Sequence, residues 1–332
     1  MSLAPPSPGP RRALASTPPA APGSVRRTTS IDVTRPDGLL GPVVVALAGR
    51  DRTVDPEGRA RVLAKVSLAV RVGVSGLVEG IDVEGFDGDG PAGLAGLVGA
   101  GLRSGFGRRA AATLPDDAAR RTLLGTLLDD LPGAYHVSGY ALARGGVLPD
   151  GANGPERAAL QADVCAGWAV GRPLHDLLAA EGRIAVPSGP PAPVLEQADP
   201  DGWHDLPALG EGTVRRRRLL EVTAAAGAGL DVHAHFRDSW FGDGHEVALH
   251  EYSIEAAVDG DGRISRVEVD PRVLPWDACP GAVASASRMV GVAVADLPAR
   301  VRAELAGPST CTHLNSMLRS LADVSALRPG TG

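Results

Sequence analysis

The chain has 332 residues, 44% of them hydrophobic and 22% charged, with a formal net charge of −6. That length gives room for two ordinary domains, and the balance is that of a globular chain rather than a disordered or fibrous one. Net acidity and only 3% aromatic residues argue against a nucleic-acid or membrane-surface role, and a single lysine, Lys65, among 33 basic residues marks a compositional bias toward arginine rather than a phosphate-binding surface.

Residues 1–24 are rich in Pro and Ala and lack the apolar core of a secretory signal, so they read as a disordered tail. No apolar run approaches the roughly 18 residues of a membrane span. Three cysteines, an odd number in a long chain, do not make a disulfide framework, and the expected location is cytoplasmic. From Arg26 the sequence "RRTTSIDV" leads to Arg50-Asp51 and then to the alternating strand "LAKVSLAVRV" from Leu63. A return strand "VEGIDVEGF", a Pro-led helical segment "GPAGLAGLVGAGL" and a closing helix "RRTLLGTLLDDLPGA" follow. Residues 146–213 read as a connector with one short helix near "AGWAVGRPLHDLLAAEG".

The pattern then recurs. "RRRRLLEV" from Arg215 leads to Arg237-Asp238, and "LHEYSIEAAV" from Leu249 turns at Asp259–Gly262 into "ISRVEVDPR". "CPGAVASASRMVG" and "TCTHLNSMLRSLADV" close the second copy. Order and spacing agree over about 80 residues. The expected fold is therefore α+β. Two diverged repeats, 25–145 and 214–327, are each an antiparallel sheet backed by helices, and they pack as an intramolecular pseudo-dimer.

The repeats differ in their chemistry. Where the second has His250, Cys279, Cys311 and His313, the first has Ala64, Gly90, Arg121 and Leu123. His250 shares a strand face with Tyr252, Ile254, Ala256 and Val258, the face on which helices must pack, while Glu251, Ser253 and Glu255 read as a solvated face. Cys279 precedes Pro280 at a helix start, where exposed amides and the helix dipole lower a thiol's pKa. Cys311 follows Ser309 and Thr310, both good helix caps. Residues two apart on a helix face different ways, so Cys311 can join His313 only from a non-helical cap position. Thiolate and imidazole suit zinc first, with iron or an iron–sulfur cluster as the alternative. Against this stand the plain readings of a buried cysteine as a small hydrophobe and a buried histidine as a hydrogen-bonded core residue. The C-x₂-C spacing of zinc fingers is absent.

The segments "ALHEYSIEAAVDGDGRISRVEV", "DACPGAVASASRMVG" and "STCTHLNSMLRSL" resemble iron–sulfur scaffold proteins of the IscU/NifU type over roughly residues 245–325. The resemblance implies an IscU-like domain in which His250 takes the place of the first cysteine and Cys279 that of the second, with Cys311 and His313 at the closing pair. Tyr252 stands where the scaffold family has an aspartate. The chain also resembles a bacterial family of unknown function that combines an Arg-Arg opening with a late Cys-Thr-His-Leu motif.

Other clusters carry weaker signals. His233, His235 and His245 surround Asp238 and Asp243, and Asp238 has a counterpart in Asp51 that favours an Arg–Asp salt bridge. His175 and Asp176 lie on an amphipathic helix without a nucleophile elbow. The glycine-rich "GFDGDGPAG" and "GLRSGFGRR" do not follow strands as nucleotide-binding loops must. "TVRRRR" suits either internal acids or an anion. Three functions stay open: a metal-binding protein with a His/Cys/Cys/His site; a metalloenzyme of hydrolase or lyase type with an open coordination position and Tyr252 or Glu251 as acid or base; and a metal-free interaction module. The expected partner is a small molecule or a protein, not nucleic acid or membrane.

Overall fold

The computed structural model describes residues 3–85, 91–103, 105–147, 154–225 and 227–329. Eight strands form one antiparallel sheet: β1 (Ser24–Thr34), β2 (Val43–Val54), β3 (Ala60–Val72), β4 (Val78–Val83), β5 (Val214–Ala224), β6 (Leu230–Gly242), β7 (His245–Val258) and β8 (Ile264–Val273). Their order is β4-β3-β2-β1-β5-β6-β7-β8. Two repeats, each with its own antiparallel sheet, were expected. Instead β1 and β5 pair edge to edge, which removes the open strand edge that each half would otherwise expose.

The two halves share their register. Arg27 lies opposite Asp51 and Arg216 opposite Asp238. Asp51 in turn faces Ala64 just before a bulge, and Asp238 faces His250 just before a bulge at the same place. Thr29 opposite Arg218 marks the centre of the β1–β5 pairing, about which the halves are arranged. Gly90, the position set against Cys279, lies outside the described residues.

Helices cover one face: α1 (Phe106–Thr113), α2 (Pro115–Arg120), α3 (Leu123–Val137) and α4 (Gly139–Arg144) in the first half, and α7 (Leu297–Glu304) and α8 (Thr312–Ser320) in the second. Between the halves, α5 (Gly154–Gln161) and α6 (Pro173–Glu181) occupy a stretch expected to hold one helix. Each half has its own apolar cluster on this face, Leu47, Leu68, Leu127 and Leu131 in one and Phe236, Ile254, Leu314 and Leu318 in the other. Among the described residues, no helix is long and apolar enough to cross a membrane.

The opposite face is covered too, which corrects two expectations. The Pro/Ala-rich N-terminal stretch is not a loose tail but lies across the sheet. The Arg12 amide donates to the Arg272 carbonyl at 2.8 Å and the Thr17 amide to that of Leu195 at 2.9 Å. Its Leu14 and Ala21 amides donate to the carboxylates of Glu251 and Glu221, both at 2.8 Å. A Pro-rich segment lacks the donors for a continuous ladder, so it makes isolated bridges at Pro8–Trp276 and Arg11–Val273, and strand carboxylates hold other amides. Glu251 is therefore fully buried, not solvated, and forms a fork with Arg237 at 3.0 and 3.2 Å.

Candidate metal centre

β6 and β7 bring Asp238 and His250 side by side, because the two residues are register partners and point to the helical face. The first turn of α8 lowers His313 onto them. Its ring stacks on that of His250, with centroids 3.6 Å apart and planes 15° from parallel. His313 Nε2 lies 3.5 Å from Asp238 Oδ2. Among the described residues, Asp238, His250 and His313 are the group of three or more His, Cys, Asp or Glu side chains whose donor atoms lie within 4.8 Å of one another.

Cys311 meets the condition set for it. It is the N-cap of α8, in extended conformation (φ −135°, ψ 127°), and its carbonyl accepts the first helical bond from the Asn315 amide at 2.8 Å. From there its Sγ lies 3.8 Å from His313 Nδ1. Cys279 does not join the close donor group. It sits with Tyr252, Cys311 and Cys165, the last supplied by the connector. The expected lowering of its pKa is reversed: burial, reinforced by the nearby Cys311 thiol, pushes Cys279 well up. Its helix is a 3₁₀ segment, Cys279–Met289, so the dipole that the expectation relied on belongs to a poorly aligned element, and desolvation wins.

Electrostatics around the imidazoles favour their neutral forms. Burial lowers His250 to about 4, partly offset by Asp238 and deepened by Arg216. Burial also takes His313 well below the ordinary histidine value, helped by its neighbour His250 and by Arg216. Neutral imidazole is the form that binds metal. His250 Nδ1 is buried without a hydrogen-bond partner, as is the Tyr252 hydroxyl. Such atoms cost about 1–3 kcal/mol each unless something satisfies them.

Asp238 does two things at once. Both its oxygens accept from Arg216, at 2.8 and 2.9 Å, as an Arg–Asp salt bridge should, and one also faces His313. The sequence indicates the first of these through Asp51, but the second depends on α8 folding back. Cys165 had no local signal, since more than a hundred residues separate it from Cys279.

The first half shows what the same frame looks like without donors. Ala64 faces Asp51, and Leu123 packs so closely that a Cβ added to Gly49 would lie 2.9 Å from it. Arg121, set against Cys311, has φ 51° and binds Asp323.

The remaining candidates resolve elsewhere. His233 and His235 point to the opposite face, beside Glu255 and Glu251 respectively. His245 is exposed at the β6–β7 turn. Glu251, offered as an acid or base, is on that opposite face as well and cannot reach the centre. The four arginines from Arg215 are internal counterions: Arg215 binds Asp32, Arg216 binds Asp130 and Asp238, Arg217 binds Glu196 and Arg218 binds Asp130. A shallow recess of about 500 Å³ borders Arg215 and Arg217, whose guanidinium groups these acids already engage.

Residues 214–327 match DUF2889, a family described as a protein of unknown function. The matched stretch, about a third of the chain, begins at the arginine-rich strand and runs past Cys311 and His313. No curated protein and no solved structure matches the chain.

Proposed function

We propose that the second half of the chain binds one metal ion, zinc in the first place and iron in the second, through Asp238, His250, Cys311 and His313. The observation that carries this is the convergence of three donor side chains within 4.8 Å, two of them neutral imidazoles, one with a buried, unpartnered nitrogen. The mixed nitrogen, oxygen and sulfur set suits a mononuclear ion better than a cluster, which needs mainly thiolates. Imidazole lone pairs lie in the ring planes, so two rings stacked at 15° cannot both bind one ion. Capture requires turning one of them, and His313, with a thiol on one nitrogen and a carboxylate on the other, has donors to turn between.

The finer reading of the fold belongs here too. We take the two halves as diverged copies of one IscU-like unit, of which only the second retains donors. Matched registers and matched bulge positions support the duplication. Cytoplasmic residence goes with it, since the three cysteines are free thiols, suited to a reducing compartment.

Cys311, His313 and Asp238 also lie in the order thiol, imidazole, carboxylate of a cysteine hydrolase. A nucleophile must reach a substrate, however, and Cys311 is only 6% exposed with its thiol raised by burial. Metal binding is the better reading.

Elemental analysis of untagged protein purified without oxygen tests it, beside His250→Ala and His313→Ala variants. Near-stoichiometric zinc or iron is expected in the parent and its loss in both variants. A well-folded parent that carries no metal and takes none up from added zinc would remove the reading.

A further inference from the structure

The β2–β3 and β6–β7 hairpins share a register but not a cover. Past their matched bulges, Arg52 faces Val62 and Ser239 faces Ala248. Ala60 and Val62 on β3 are therefore the counterparts of Glu246 and Ala248 on β7. In the second half the connector closes this edge. The Ala248 amide donates to the Pro190 carbonyl and the Ala192 amide to that of Glu246, both at 2.9 Å, with Pro191 bridging to Val247. Further along, β8 pairs with β7 as far as Glu251.

The first half has neither cover. β4 pairs with β3 only from Leu68 to Val72, and the Glu84 and Gly85 amides reach no further than the Ser67 carbonyl. Among the described residues, nothing bonds to the outward backbone groups of Ala60 and Val62. Residues 60–63 are all exposed, Val62 at 51% and Leu63 at 44%. An open strand edge that also carries apolar side chains is a template for another strand, and folded chains ordinarily cover it.

Charge decides what fits there. From residue 59 to 67 every charged residue is basic: Arg59, Arg61 and Lys65. Arg59 is met by Asp55 and Glu57, and Lys65 by Asp205. Arg61 has no ion-pair partner among the described residues. Its counterpart in the second half is Val247, and that of Lys65 is Glu251, so the neutral Pro-rich cover used there is not matched to this edge. A second copy of the chain, paired antiparallel through its own β3 and centred on Leu63, would set Arg61 against Lys65 on both sides. Like charges directly opposite are destabilising.

We propose that the β3 edge, residues 60–65, is a docking site for an extended, acidic peptide segment of a partner protein, which adds to the sheet in line with β4. Main-chain bonds to Ala60 and Val62 attach it, as residues 190–192 attach to β7, and its carboxylates meet Arg61 and Lys65. None of the proposed metal donors takes part, so this inference stands or falls apart from the metal reading.

The test is fluorescence anisotropy of the full chain with two labelled peptides of about eight residues, long enough to cover the edge, one alternating Glu with Val and the other Lys with Val. The Glu peptide is expected to bind about tenfold more tightly than the Lys peptide, and less tightly as salt rises. Arg61→Glu, a change at an exposed side chain, is expected to weaken the Glu peptide about tenfold. Val62→Pro removes the outward amide and should weaken it similarly, with circular dichroism to show that the variant is folded. In the parent, the peptide should slow hydrogen exchange of the amides in 60–65. A Glu peptide that does not bind the parent, that binds Arg61→Glu equally well, or that protects amides elsewhere would overturn the proposal. So would a concentration-dependent dimer in sedimentation that protects 60–65 by itself, which would assign the edge to a second copy.

Discussion

At the scale of single residues, the interior depends on buried polar groups being met by partners. His204 is 4% exposed and lies between two hydroxyls, Thr28 Oγ1 at 3.0 Å from Nδ1 and Ser30 Oγ at 2.8 Å from Nε2. Burial, with Arg50 and Arg215 nearby, lowers it from the ordinary 6.5 to about 3. A folded pKa below the unfolded one means that the unfolded chain takes up the proton first. The stability due to neutral His204 is then complete above about pH 6.5 and is lost as pH falls toward 3. Urea unfolding at pH 7 and pH 5 should show a loss of about 2 kcal/mol from this residue, and His204→Gln should flatten the dependence by that amount. An equal pH slope in the variant would show that His204 is not the group responsible. The same scale shows why the candidate donor group could be read only in part. His250 was legible from strand alternation and Cys311 from its cap position, but Asp238 carried only the signature of a salt bridge.

At the scale of elements, the helices of each half supply counterions to the other. Asp130, on α3 of the first half, accepts from Arg216 at 2.8 Å and from Arg218 at 2.5 and 2.7 Å. Ser316 on α8 joins the same group, bonding both Arg218 and Asp130. In return Asp323, just after α8, binds Arg121 at 2.6 Å and lies 3.2 Å from Arg27. Burial alone would raise the Asp130 carboxyl, but Arg216 and Arg218 outweigh it and hold the group well below the usual range. Breaking a buried pair by removing one partner leaves an uncompensated charge and typically costs about 3–5 kcal/mol. Asp130→Asn is accordingly expected to lower unfolding stability by about that much, measured by urea titration. A loss under about 1 kcal/mol would place this pairing with surface ion pairs, whose removal matters little. The sequence shows the arginines and the acids, but their spacing cannot say that a helix of one half reaches the strand of the other.

At the scale of the whole molecule, the stretch that matches DUF2889 is not self-contained. Residues 214–327 include β5, whose Arg216 and Arg218 find Asp130 and whose Arg215 finds Asp32, both in the first half. Cut out alone, that stretch would expose the β5 edge and leave Arg215 without Asp32 and Arg218 without Asp130, while Arg216 would keep Asp238. The expected result is that 214–327 expressed by itself aggregates or self-associates through β5, and that co-expression with 1–213 restores a soluble pair. Size-exclusion chromatography and circular dichroism give the answer. A stable, monomeric, folded fragment would show that the β1–β5 junction is dispensable.

The sequence by itself determined the α+β class, the strands and their alternation, the recurrence of one order of elements, and the candidacy of His250, Cys311 and His313. These follow from local periodicity and cap chemistry, which act over a few residues. Only the tertiary structure decided that the halves share one sheet, that the N-terminal stretch is laid over it, that Asp238 enters the donor group in place of Cys279, and that Cys165 approaches from the connector. Each of these depends on contacts between residues far apart in the chain, where the gain from pairing edges and burying charge with its counterion outweighs local preference, and no short-range pattern records it.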